Sequence, residues 1–177
     1  MRRVVVVLAL AAVCGACREK KPSQLSSNLN AENKVTVRQV TLYYEGGDML
    51  LSAEQRNVAL PENPAGAMSA VVREFFKPPA SRAHARSFPA DTVVRGAFLL
   101  PDGTAFVDLG GATLTQGWGT GSHEELVAVY GLVQTVTANF ADAKRVRILV
   151  NGEPVETLAG HINVGRSLTP MPSLVAR

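Results

Sequence analysis

TVVRGAFLLPDGTAFVDLGG, residues 92–111, sets two runs of strand-type residues on either side of a short break. Thr92–Leu100 and Thr104–Leu109 are rich in β-branched and aromatic side chains, while Pro101-Asp102-Gly103 between them carries three residues that favour a tight turn. Gly110-Gly111 closes the second run. The stretch predicts a hairpin.

Similar patterns flank it on both sides. Upstream, apolar and polar residues alternate from Val35 through QVTLYYEG, and Glu45-Gly46-Gly47-Asp48 turns the chain into MLLSAEQRNV, which predicts a second hairpin. Pro61 and Pro64 mark a break. Met68, Val71, Val72, Phe75 and Phe76 then recur at helical spacing until Pro78-Pro79, and a stripe of this kind belongs to a core. The loop 78–90 carries Arg82, His84 and Arg86, which are expected on a solvated surface. Downstream, a long helix places Leu126, Val129, Tyr130, Val133, Val136, Thr137 and Phe140 on one face. Lys144–Val150 is a strand that Asn151-Gly152 turns back. The order β-β-α-β-β-α-β with a small final hairpin predicts an α+β domain, two helices packed on one face of a mixed, largely antiparallel sheet.

Gly117-Trp118-Gly119-Thr120-Gly121-Ser122-His123-Glu124-Glu125 is the segment most open to a chemical reading. A phosphate loop of the Walker type needs a Lys to neutralise phosphate, and none is present. The dinucleotide fingerprint needs G-x-G-x-x-G directly after a strand, whereas these glycines alternate and the preceding strand ends near Leu109. Glu124 and Glu125 would also repel an anion at the helix start. Ser122 and Glu125 instead have the spacing of a capping box. A zinc-protease helix would need a second His at position 127, which is Val, so no metal or cofactor is expected. No G-x-S-x-G elbow occurs. Asp108, at a strand end, and Glu125 are the carboxylates an enzymatic reading would use, but nothing in the sequence pairs them, and the expectation is a non-enzyme. Trp118, the only Trp, sits in a Gly-rich loop and either packs over the domain or contacts a partner or ligand.

The 177 residues have a pI of about 9.1, but the basic charge lies at the ends. From Val35 to Gly165 there are ten Lys and Arg against thirteen Asp and Glu, a net charge of −3. That balance argues against a nucleic-acid partner. Arg2 and Arg3 precede an apolar run, Val4–Val13, that is shorter than the roughly 20 residues a membrane-spanning helix requires, which is a secretory signal pattern. Cys14 and Cys17 could form a disulfide, a redox pair or half a zinc site, yet the redox motif belongs in a folded domain and zinc needs further ligands. Gly15-Ala16-Cys17 resembles the end of a bacterial lipobox, with Cys14 where an aliphatic residue is usual. The resemblance implies cleavage after residue 16 and lipidation of Cys17, which would anchor the protein on the outer face of the cell membrane or on the outer membrane. Residues 17–34 are polar and lack periodicity, a tether reaching about 20–25 Å. Residues 35–168 then form the domain and 169–177 a tail.

Taken together, the 92–111 hairpin, the Gly121-Ser122-x-x-Glu125 helix start, and Asn151-Gly152 followed by Glu156-Thr157-Leu158-Ala159-Gly160-His161 resemble the GerMN domain, named after a sporulation and germination protein. The resemblance covers most of residues 35–168. It implies an exported envelope protein, similar in fold to ring-building modules of membrane-spanning assemblies. It also implies envelope proteins or further copies of the chain as partners, with no catalytic residues. A small envelope ligand bound near Trp118 is the alternative.

Overall fold

The computed structural model describes residues 34–177. The expected signal segment, Cys14, Cys17 and the tether up to residue 33 lie outside them.

The first hairpin pairs β1 (Val35–Glu45) with β2 (Leu51–Pro61) in an unbroken antiparallel register. Helix α1 (Pro64–Phe75) follows, its first turn capped by Asn63, whose Oδ1 accepts the Gly66 N–H at 2.6 Å. The second hairpin pairs β3 (Val93–Leu99) with β4 (Thr104–Gly110) around Gly103, whose φ of +80° suits the turn. A short helix α2 (Ala112–Gln116) and the long helix α3 (Ser122–Asn139) carry the chain across to β5 (Arg145–Val150), which therefore runs parallel to β4. Asn151-Gly152 then turns into β6 (Glu153–Pro154), the small final hairpin.

The fold is α+β, as predicted, with its strands divided between a two-stranded sheet, β1-β2, and a four-stranded sheet, β3-β4-β5-β6. Helix side chains stand where joining strands would pair. Asn139 of α3 accepts the Thr41 N–H at 3.0 Å and donates to the Thr41 carbonyl at 2.7 Å, while Thr135 accepts the Tyr43 N–H at 3.0 Å. On the other sheet, Ser69 of α1 accepts the Ala97 N–H at 3.0 Å and bonds the Ala97 carbonyl. Each contact satisfies a strand edge that burial would otherwise leave orphaned.

One apolar core joins both sheets. The α1 stripe enters it as expected through Met68, Val71, Val72 and Phe75. Helix α3 departs from its predicted single face. Val127, Ala128, Val129, Leu132, Val133 and Val136 are all fully buried, whereas Leu126, Tyr130, Thr137 and Phe140 are half-buried. At Val127 the C-terminal residues cause this, while Ala128 and Leu132 join the main core. Leu174 packs with Leu51 on Val127, and Ala176 donates its N–H to the Leu51 carbonyl at 2.9 Å, so the flank that amphipathic spacing left to solvent is covered. Among the described residues no helix is long and apolar enough to cross a membrane.

Candidate functional site

The start of α3 overturns the expected capping box. Gly121 is the N-cap, its carbonyl accepting the Glu125 N–H at 3.0 Å, and Ser122 already lies within the helix. The Glu125 side chain turns inward and is fully buried. Its Oε1 accepts the backbone N–H groups of Leu158 (2.9 Å) and Ala159 (2.8 Å), and its Oε2 those of His161 (2.7 Å) and Ile162 (3.1 Å). A cap would supply this carboxylate with one donor; the loop supplies four, enough to compensate its burial. Gly160, at φ +95°, lets that loop curl around the carboxylate. The helix start and the 156–161 segment, far apart in sequence, meet at this one ion.

Asp108 is equally committed. Its Oδ1 accepts the Gly152 N–H at 2.8 Å and its Oδ2 faces Arg95 Nε at 3.0 Å, which fastens the β5–β6 turn to the sheet. Asp108 and Glu125 thus serve separate structural junctions and form no pair.

A third carboxylate, not singled out in sequence, organises the loop after α1. Glu54, projecting from β2 into the core side, accepts the Ala80 and Ser81 N–H groups at 3.0 and 3.1 Å, faces His84 Nδ1 at 3.0 Å and pairs with Arg56. Burial alone would raise its pKa; the two backbone donors, His84 and Arg56 outweigh burial and hold it down at about 2. Arg56 also bonds Glu74 at 3.0 Å and the Pro78 carbonyl at 2.7 Å, with its guanidinium over the Tyr44 ring. The 78–90 loop therefore departs from the solvated expectation at His84, which is nearly buried and packs on Tyr44. A strand Glu two residues from an Arg was the available signal.

Trp118 stacks on Phe88, ring centroids 5.5 Å apart, and ends an aromatic chain that runs through Phe75 to Tyr44. It is half-buried and forms a wall of a cleft of about 190 Å³ that Glu45, Arg86, Ser87 and Glu124 also line. Glu45 faces His123 Nε2 at 3.2 Å. The Ser87 hydroxyl is buried there with no partner among the described residues. Among those residues no group of three His, Cys, Asp or Glu is arranged to hold a metal ion.

Three solved structures share the fold. A Clostridium perfringens protein assigned as a lipoprotein superposes with a TM-score of 0.54 at 16% identity, over 79% of this chain and 93% of that one. The tandem GerMN domains of the Bacillus subtilis sporulation protein GerM give 0.52 at 20% identity, over 80% of this chain and 47% of the tandem. The first GerMN domain alone gives 0.50 at 18% identity, over 79% and 98%. No curated protein sequence matches the chain. Residues 41–156 match the Germane family, described by the words sporulation and spore germination. That match runs from Thr41, within β1, through β2, the second hairpin, all three helices and β5, and it includes Glu125; the chain belongs to the Germane family.

Proposed function

We propose that the chain is an exported envelope protein, lipid-anchored through Cys17, whose Germane domain is a non-catalytic module for binding proteins. The observation that carries this reading is how the carboxylates are used. Glu125, Asp108 and Glu54 each have both oxygens engaged by the chain's own donors, so they hold loops and turns in place and present no free acid–base pair. Family membership and the lipobox-like Gly15-Ala16-Cys17 point the same way. Partners are envelope proteins or further copies of the chain, with the membrane reached through the lipid and no nucleic acid.

The test is cross-linking in native envelopes with a tag after Arg177, followed by mass spectrometry of what co-purifies. A discrete envelope protein recovered with the wild type and lost with Cys17→Ala is expected. Recovery undiminished by Cys17→Ala would overturn the tether, and recovery of nothing would overturn the module.

A second reading has one observation in its favour. The cleft beside Trp118 combines an aromatic wall, ionic groups and the unpartnered Ser87 hydroxyl, features of a small-ligand site. Binding of a cell-wall fragment there would shift Trp118 fluorescence saturably in a muropeptide titration, and Ser87→Ala would weaken it. A flat titration removes this reading.

A further inference from the structure

Among the described residues, the β2 edge of the β1-β2 sheet is left open. On β1, Thr41 and Tyr43 direct their backbone groups outward, into Asn139 and Thr135. The register places Gln55 opposite Thr41 and Ala53 opposite Tyr43. Antiparallel partners share their orientation, so Ala53, Gln55, Asn57 and Ala59 direct N–H and C=O away from β1. Leu51 has the same orientation and gives its carbonyl to Ala176. Beyond it, no described residue bonds the outward backbone groups of those four positions, and their side chains are exposed. This edge carries no Lys and no bulge, and its first Pro is Pro61, so of the usual devices against strand addition it keeps only the core-facing charges of Glu54 and Arg56, which are paired with each other.

A groove of about 450 Å³ runs alongside, between Asn57–Ala59 of β2 and Ala70 and Arg73 of α1, with Lys77 just beyond the helix end. Arg73 is exposed and makes no ion pair with a described carboxylate, whereas the one acid in the groove, Glu74, is shared between Arg56 and Lys77. The flank of the open edge is therefore basic.

We propose that the β2 edge and the basic flank of α1 dock an acidic extended segment of a partner protein, which adds to the β1-β2 sheet as a third strand. This rests on the reading of the domain as a protein-binding module. The guest's backbone pairs with the open N–H and C=O groups, and its carboxylates meet Arg73 and Lys77. A second copy of the chain is the poorer guest. Pairing β2 with itself about a two-fold axis sets both copies' α1 on the same face of the seam, with Arg73 and Lys77 turned toward their equivalents.

The probe is a blocked peptide of about seven residues alternating Val with Asp or Glu, long enough to span the edge. It is added to the full chain, and amide hydrogen exchange is followed residue by residue. The acidic peptide is expected to slow exchange about tenfold or more at Ala53, Gln55, Asn57 and Ala59 and to leave the even-numbered amides, already bonded to β1, unchanged. Asn57→Pro removes an outward donor without touching the β1 ladder and should abolish that protection. Arg73→Glu is a surface change that leaves folding intact and should weaken the peptide about tenfold, so it decides the matter if the Pro variant does not fold. Protection that ignores residue parity, survives Asn57→Pro, or appears equally with a Val–Lys peptide overturns the proposal. So does protection that grows with protein concentration alone, which makes a second copy the guest. An envelope partner still cross-linked by Asn57→Pro would sink the edge and leave the module standing.

Discussion

Glu125 is the residue on which the most backbone converges, since four N–H groups of the 158–162 loop end on its two oxygens. Replacing one oxygen by an amide NH₂ in Glu125→Gln removes two acceptor contacts and sets a donor against donors. Leaving buried N–H groups unsatisfied costs about 1–3 kcal/mol each, so a loss of roughly 2–4 kcal/mol is expected after local relaxation. Urea unfolding should show a lower midpoint at unchanged slope, with faster amide exchange at Leu158 and Ala159. Glu124→Gln is the control. Its carboxylate lies over Gly121, where an added Cβ would stand 2.5 Å from Oε2, and among the described residues it accepts no hydrogen bond from the loop, so a change within about 0.5 kcal/mol is expected. Equal midpoints for the two variants would remove the loop-holding role of Glu125.

Helix α3 and strand β1 approach closely at Gly131. A Cβ at Gly131 would lie 2.8 Å from the Tyr43 carbonyl oxygen. Propensity alone gives Gly131→Ala about 1 kcal/mol of stabilisation. Tyr43 cannot retreat, because Thr135 and Asn139 fasten β1 to the same helix, so overpacking should reverse the sign to a net loss of roughly 1–2 kcal/mol. A raised melting temperature for Gly131→Ala would contradict this packing. The same junction shows what the sequence could convey. Pro101-Asp102-Gly103 and Asn151-Gly152 are local signals, and the turns they specify are where they were expected. Ser122 and Glu125 also carried a local signal, but donors 33 to 37 residues further along the chain outbid a single helix-end N–H. The division into two sheets depends on Asn139, Thr135 and Ser69 reaching strand edges, which no periodicity reveals. Trp118 could be read as an aromatic in need of cover; its cover, Phe88, lies in another loop.

The whole domain is tied together across β2, α1 and the 78–84 loop by Glu54, and its response to acid follows from that carboxylate. The ordinary pKa of 4.5 falls to about 2 in the folded chain, because the Ala80 and Ser81 N–H groups, His84 and Arg56 outweigh the effect of burial. A group with a depressed folded pKa binds its proton more tightly when unfolded, so its contribution is fully present above about pH 4.5 and is lost as the pH falls toward 2. The shift corresponds to about 3 kcal/mol. Glu74 shifts downward as well, since Lys77 and Arg56 outweigh its burial, and its contribution is lost in the same direction. Stability measured by urea unfolding should therefore be nearly level from pH 7 to 5 and fall steeply below 4.5. Glu54→Gln should be less stable than wild type at pH 7, and the two curves should converge as the pH approaches 2. Parallel curves for the two proteins down to pH 2.5 would show that the fold does not depend on this ion, and the link it makes between the first sheet and the loop would lose its energetic weight.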